Sequence, residues 1–305
     1  MQTILGSNGQ IGQELAKALY KNYTKEIRLV SRNPKKINET DQLFKADLLN
    51  ENEAKIAIAG SKIVYFTVGL PMDSEMWEDQ FVGMTKNVIE ACKINNSKLV
   101  FFDNTYMYAK DDNEQTESSP FMPNGRKSTV RSQMAKLVLH EMESGKLNAV
   151  ICRAPEFYGP ENTQSITNSL IFNSIQAGKT PKIPISDQTA RTLIWTPDTS
   201  RAVALIGNTP DSYGQTWHLP CDESITYHKM IEIIRSVTGM PIKYKVMKMW
   251  QFKLASLFNQ NAKELQELLP RYKWDNLFSS DKFKKRFPNF EVTTFEEGIK
   301  EMFTE

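Results

Sequence analysis

The 305-residue chain has little of what marks several large protein classes. It holds three cysteines, Cys92, Cys152 and Cys221, an odd and widely spaced set. Such spacing excludes a disulfide framework and a zinc site and fits reduced thiols. The three histidines, His140, His218 and His228, match neither a metal-ligand set nor a catalytic triad, so structural roles are expected for them and no metal is expected. No apolar run is long enough to cross a bilayer. Lys and Arg total 38 against 36 Asp and Glu, and no basic block of the kind that binds nucleic acid is present. Repeats and low-complexity tracts are also missing. The first strand begins almost at Met1, which leaves no room for a signal peptide. These absences predict a cytoplasmic chain whose partner is a small molecule rather than nucleic acid or a membrane. Its length suits one large domain or two smaller ones.

What is present is concentrated at the start, MQTILGSNGQIG. Thr3-Ile4-Leu5 reads as a short buried strand, and Gly6, Gly9 and Gly12 follow at G-x-x-G-x-x-G spacing. From Gln10 to Tyr20 the pattern turns helical, with Ile11, Leu15, Ala18 and Leu19 on one face. A strand that passes through glycines into a helix is a phosphate cradle. Gly6 allows the tight turn, Gly9 the approach of backbone to a pyrophosphate, and Gly12 the close packing of helix on sheet. Gly6, Ser7, Asn8, Gly9, Gln10 and Ile11 are then expected to cradle the diphosphate, with the free N–H groups and the positive end of the helix facing the anion.

The first half alternates strand and helix in the manner of a Rossmann-type, doubly wound parallel α/β sheet. Further strands are expected at 26–31, 42–46, 62–68, 98–103 and 148–153, with long helices at 74–94 and 126–144. The acidic stretch 73–79 complements the dipole of the first long helix and needs no catalytic purpose. Beyond Gly159-Pro160 the rhythm loosens into proline-bounded loops. This predicts a dinucleotide-binding domain over 1–160 and a smaller α+β substrate lobe over 161–305, from which segments near 191–220 can return to the first domain. The Met- and Phe-rich tail from Lys245 to Phe303 reads as packed amphipathic helices.

The second strand ends Leu29-Val30-Ser31-Arg32-Asn33, without the carboxylate that takes the ribose 2′-hydroxyl in NAD-specific sites. Ser31 can donate a hydrogen bond and Arg32 can pair with a 2′-phosphate, which favours NADP over NAD. Asp47, after the third strand, either holds the adenine amino group or caps the helix that begins near Asn50.

Taken in order, these segments resemble the extended short-chain dehydrogenase/reductases, in particular their NAD-dependent epimerase/dehydratase branch. The resemblance rests on GSNGQIG at 6–12, TVGL at 67–70, FFDNTYMYA at 101–109, RAPEFYGP at 153–160 and RTLIWTPD at 191–198. It implies that Thr67, Val68 and Gly69 line the ribose and diphosphate of the cofactor. Glu156, Phe157 and Tyr158 would sit near the nicotinamide. It also implies hydride exchange at a carbonyl or secondary alcohol, with a nucleotide sugar as one substrate class. Homodimers through the two long helices are common in the family.

The chain departs from the family where the chemistry lies. Those enzymes use a Tyr-x-x-x-Lys pair, and here Lys127 and Arg131 stand in its place, with Asn104 and Thr105 at the usual hydroxyl position. Three readings stay open for Lys127 and Arg131. Lys127 can be a proton donor of lowered pKa, the pair can bind an anionic group, or both can be surface charges four residues apart on one helix. Tyr106 or Tyr108 is an alternative phenol. Arg191 either reaches an anionic substrate group or pairs with Asp187 or Asp198. The alternative to an enzyme is an NAD(P)-binding sensor or scaffold that has lost catalysis.

Overall fold

The computed structural model describes residues 1–161 and 163–304. Its first half builds β1 (Gln2–Leu5), α1 (Gln10–Asn22), β2 (Ile27–Ser31), β3 (Gln42–Lys45), α2 (Glu51–Ile58), β4 (Ile63–Phe66), α3 (Ser74–Ile94), β5 (Lys98–Asp103), α4 (Arg126–Glu143) and β6 (Ala149–Arg153). After these come β7 (Glu156–Tyr158), α5 (Asn173–Gln176), β8 (Lys182–Pro184), β9 (Ala190–Arg191), β10 (Leu193–Trp195), α6 (Thr196–Gly207), β11 (Thr216–His218), β12 (Ile225–Thr226) and α7 (Tyr227–Thr238). The chain closes with β13 (Lys245–Met247), α8 (Met249–Ala255), α9 (Gln260–Leu265), α10 (Asp281–Arg286) and α11 (Phe295–Thr304).

Seven strands form one parallel sheet in the order β11-β6-β5-β4-β1-β2-β3. The chain winds outward from β1 in one direction and then, from β4, in the other. The sheet therefore reverses between β1 and β4, where Ile4 sits between Leu29 and Tyr65. A crevice opens at such a reversal, outside the carboxyl ends of the strands, because the flanking helices depart to opposite faces. The expected doubly wound architecture is present.

Local chemistry fixes the helix starts. The side chain of Asn50 accepts from the N–H groups of Asn52 and Glu53 at the start of α2, and Asp73 accepts from Met76 N–H at the start of α3. Asn50, and not Asp47, is thus the cap of α2. Apolar faces of α2, α3 and α4 bury one side of the sheet around Phe66, Phe81, Phe101 and Met134. On the other side α1 packs with α6 around Ile4, Leu15, Tyr65 and Val203.

The C-terminal half is divided between two tasks. Helix α6 and strand β11 return to the seven-stranded sheet and its α1 face. A smaller lobe is built on the two-stranded pairs β7–β10, β9–β12 and β8–β13 and on α7 packed against α11, with Phe172, Tyr227, Tyr272 and Phe295 in its core. The tail differs from a run of amphipathic helices. Lys245–Met247 is a strand paired in parallel with Lys182–Pro184, and the helices that follow are short, interrupted around Pro270 and Pro288. Among the described residues no helix is long and apolar enough to cross a membrane.

Candidate nucleotide-binding and active site

At the reversal point β1 runs into Gly6, whose φ of +83° suits glycine and whose added Cβ would meet Val68 Cα at 2.7 Å. A Cβ on Gly12 would lie 2.7 Å from the Gly6 carbonyl oxygen and 2.9 Å from Ser7 Cα. Helix, turn and neighbouring strand thus approach to backbone contact. Gly9 is the N-cap of α1, and no side chain caps the helix there. The first-turn N–H groups of Gln10, Ile11 and Gly12 are left pointing at an anion site. The cradle fits a pyrophosphate.

The cleft above it, about 300 Å³, is lined by Gly6, Asn8 and Gly9, by Ser31, Arg32 and Asn33, by Asp47, and by Val68, Gly69 and Leu70. The sequence motifs therefore converge on one cavity. Asn8 pins its far wall, donating to the Asn33 carbonyl at 2.7 Å and accepting from Lys35 N–H at 3.2 Å. Ser7 is buried and turned inward, and both its hydroxyl, at 3.3 Å, and its N–H, at 3.2 Å, donate to the Val30 carbonyl, so unlike the expectation it does not offer a donor to the anion. Thr67 is likewise turned into the sheet, donating to the Leu5 carbonyl at 2.9 Å. Gln10 reaches the opposite way, to Thr163 and, at 3.0 Å, to Thr196 Oγ1, tying the cradle to the return loop. Arg32 is exposed at the cleft edge. Asp47 accepts from Leu49 N–H at 3.0 Å and is part of the cleft wall.

The helix that should carry the tyrosine–lysine pair looks different. Lys127 is not a surface charge: it is 1 % exposed. Its ammonium donates to Ser74 Oγ at 2.7 Å, to the Glu264 carbonyl at 3.2 Å and to the Glu264 carboxylate. All three of its N–H bonds are used. Burial pushes the Glu264 carboxyl up, but hydrogen bonds from Lys127 and Ser74 outweigh it and leave the group below the usual carboxylate range. Glu267, one turn further on, accepts from the N–H groups of Lys127 at 3.1 Å and Ser128 at 3.0 Å. The lobe thereby caps α4 with the Glu267 carboxylate.

Arg131 is also buried, with a hydrogen bond of 2.8 Å to Asp103. Arg153 pairs with the other oxygen of Asp103 at 3.1 Å. Arg153 also donates to Tyr108 Oη at 2.6 Å, and Tyr108 meets His218 Nε2 at 2.8 Å. Burial, reinforced by Arg153, drives the His218 pKa down to about 3, so the ring is neutral. Tyr108 is therefore committed to this buried chain.

Tyr106 is not. It follows the carboxyl end of β5, half-buried, with its N–H held by Asn104 Oδ1 at 3.0 Å. Its ring stacks on Trp77, centroids 6.1 Å apart, and Arg271 lies 5.1 Å from the ring centre. Burial raises its pKa, opposed by Arg271, so the phenol is protonated at neutral pH. Thr105 is buried beside it, its carbonyl facing Arg271.

Glu156 and Arg191 form a third pair at 2.7 Å, with Tyr272 donating to Glu156 and lying 3.8 Å beneath the Arg191 guanidinium. Arg191 thus pairs with neither Asp187 nor Asp198. Asp187 accepts from Tyr244 at 2.7 Å, and Asp198 pairs with Arg201 at 2.6 Å. Tyr158 is 1 % exposed in the lobe core between Trp195 and Phe295, which closes its ring off from direct contact with a substrate. Sequence reasoning missed Glu264, Glu267, Arg271 and Tyr272, all from the lobe. The one signal for them was the carboxylate repeat at 264 and 267, which has no meaning until the lobe is folded onto α4.

A parallel sheet with this strand order, a glycine cradle at its reversal and a lobe over its carboxyl ends define a dinucleotide-binding enzyme fold. The model of the NAD dependent epimerase/dehydratase family matches residues 3–219, and the chain belongs to that family. A relative, the 2-alkyl-3-oxoalkanoate reductase of Shewanella oneidensis, is 23 % identical over 289 residues, covering 85 % of this chain and 74 % of that protein. Among solved structures, UDP-glucuronic acid 4-epimerase from Bacillus cereus in complex with NAD superposes with a TM-score of 0.79 at 16 % identity, over 98 % of this chain and 96 % of that one. UDP-N-acetylglucosamine 4-epimerase from Methanobrevibacter ruminantium gives 0.80 at 18 % identity, over 99 % and 96 %. Likeness at that identity is one of fold.

Proposed function

We propose that this chain is an NAD(P)-dependent oxidoreductase or epimerase acting on a carbonyl or secondary alcohol, with nucleotide sugars as the first substrate class. The observation that carries this reading is the uncapped first turn of α1 above a glycine cradle with no room for a Cβ. A nicotinamide dinucleotide bound there would supply or accept a hydride. The first-turn N–H groups of Gln10, Ile11 and Gly12 would hold the diphosphate, Asp47 the adenine amino group, and Val68 and Gly69 the ribose side. Ser31 and Arg32, with no carboxylate beside them, support NADP(H). The solved B. cereus epimerase is described with NAD, so both coenzymes enter the test.

For the proton, the reading rests on Tyr106. Lys127 has every N–H engaged, whereas the Tyr106 phenol is protonated and lies beside Asn104 and Thr105, which would orient the carbonyl. Arg131 retains a buried Nε–H without a protein partner, which supports a contact to the coenzyme. Glu156 would border the substrate, and the fully buried Arg191 would hold that carboxylate in position. Association of two copies through α3 and α4 belongs to the same proposal and is checked by the mass in solution.

A second reading is favoured by the two ion pairs on α4: a sensor or scaffold that binds the dinucleotide without turnover. The first experiment denatures the protein as purified and identifies any released nucleotide and its oxidation state. Titration with NADPH and NADH follows, then turnover with UDP-sugars and with 2-alkyl-3-oxo acids, the class named for the S. oneidensis relative. Binding with turnover supports the enzyme. Binding with no turnover across both substrate classes supports the sensor, and failure to bind either coenzyme overturns both.

A further inference from the structure

We propose that the segment from residue 243 to 263 docks this protein onto an anionic lipid surface. The segment carries five lysines, Lys243, Lys245, Lys248, Lys253 and Lys263, and no aspartate or glutamate. The whole chain has a net charge of only +2, so this is a local excess. In the same stretch Trp250, Leu254, Leu257 and Phe258 stand 64, 54, 72 and 86 % exposed. A face intended for water does not gather four large apolar side chains within so short a run.

The arrangement is helical. Trp250, Leu254 and Leu257 follow the spacing i, i+4, i+7, which places them on one stripe. The turn continues past α8, because the N–H groups of Ser256, Leu257 and Phe258 donate to the carbonyls of Phe252, Leu254 and Ala255. Phe252, 7 % exposed, points the other way and anchors the helix to the protein. Lys248 and Lys253 are exposed beside the stripe.

An apolar stripe with a tryptophan and flanking lysines matches the layered chemistry of a bilayer surface. The leucines and Phe258 enter the acyl boundary, the indole sits at headgroup depth, and the lysine stems reach the plane of phosphates. No membrane-spanning helix is needed for such a contact, so the proposal departs from the expectation of no membrane partner, which rested on the lack of a spanning run. The same segment continues into α9, whose Glu264 holds Lys127, so the docked surface lies next to the seam between lobe and α4.

The test is co-sedimentation of the full chain with vesicles of phosphatidylcholine and phosphatidylglycerol, compared with phosphatidylcholine alone, without nucleotide and therefore independently of the proposed activity. Wild type is expected to bind the anionic vesicles at least tenfold more tightly than the neutral ones. Leu257→Ser/Phe258→Ser should lose binding at least tenfold. Lys248→Gln/Lys253→Gln should weaken it roughly 25-fold, about fivefold per lysine. All four positions are exposed, and unchanged melting temperatures establish that the variants are folded. Binding that ignores lipid charge, no binding to either vesicle, or equal binding by wild type and variants overturns the proposal. So does self-association of the free protein that Leu257→Ser/Phe258→Ser abolishes, which makes the patch a contact between copies.

Discussion

Lys127 and Glu264 form a buried ion pair that joins the first turn of α4 to the C-terminal lobe, with side chains 1 % and 8 % exposed. The pair stands where the family's tyrosine is expected, and it makes that position a fastener. Removing one partner of a buried pair leaves the other charge uncompensated, at a cost of about 3–5 kcal/mol. Lys127→Met is therefore expected to lower denaturant stability by that order, and Lys127→Met/Glu264→Leu to recover much of it. Glu264 is held below its ordinary value of 4.5, so its contribution is fully present above that pH and is lost as pH falls through the folded value. The stability gap between wild type and Glu264→Gln should close on acidification below 4.5. If the double variant is as unstable as Lys127→Met, the pair is not the fastener described.

His218 supplies a second and separable pH effect. Its ring is stacked on Phe278 at 3.8 Å and kept neutral down to about pH 3 by burial and Arg153. The unfolded chain takes up a proton near 6.5, so the unfolded state binds more protons between those values and stability falls as pH drops below 6.5. A slope of up to about 1.4 kcal/mol per pH unit is expected from this group. His218→Gln should flatten that part of the profile in denaturant titrations from neutral pH downward, and an unchanged slope would sink the assignment.

Gly12 tests the cradle. An added Cβ would press on the Gly6 carbonyl and on Ser7 Cα, and both neighbours are backbone. Gly12→Ala must push α1 off the turn, at a cost of about 1–3 kcal/mol typical of overpacking. Nucleotide affinity should fall at least tenfold, because the N–H groups of the first turn move with the helix. Calorimetric titration with NADPH reads the affinity and thermal melting the stability. An unaltered affinity would remove the cradle from the binding site.

These expectations divide along a physical line. The sheet, α1, α3, α4 and the cleft-lining residues from Gly6 to Gly69 were legible because a parallel sheet writes itself locally. Each strand is a short apolar run, each crossover a periodic helix, and the glycine spacing marks the turn. What lay beyond reach was pairing between distant charges. Lys127 and Arg131 look alike on the helix, yet one meets Glu264 from the lobe and the other Asp103 from β5. Nothing within either local stretch names its partner. Arg191 shows the same limit: the nearby Asp187 and Asp198 were plausible, but the strand carrying Glu156 lies closer in space.

Arg32 tests the proposed coenzyme preference. It stands exposed at the cleft edge with Ser31 and Asn33, and β2 ends there without a carboxylate. A charge-assisted contact to a 2′-phosphate contributes about 1.5–3 kcal/mol, or roughly ten- to a hundredfold in affinity. Arg32→Asp is expected to weaken NADPH by that factor and to strengthen NADH, since the new carboxylate can accept from a free 2′-hydroxyl. Parallel titrations with the two coenzymes measure the ratio. A wild-type preference for NADH would reverse the proposed specificity.

Tyr106 carries the proposed proton transfer and gives the sharpest division between enzyme and sensor. Its phenol is protonated at neutral pH, and it is the tyrosine at the carboxyl end of β5 that is not engaged in a buried network, since Tyr108 is tied to Arg153 and His218. Tyr106→Phe keeps the stack on Trp77 and the Arg271 contact, so fold and coenzyme binding should be unchanged. A positioned acid contributes about 10²–10⁴-fold to rate, and kcat should fall by that order while KM and coenzyme affinity hold. In Lys127→Met/Glu264→Leu, by contrast, turnover should persist wherever the protein stays folded. Retained kcat in Tyr106→Phe together with its loss in the folded double variant would return the proton to the lysine.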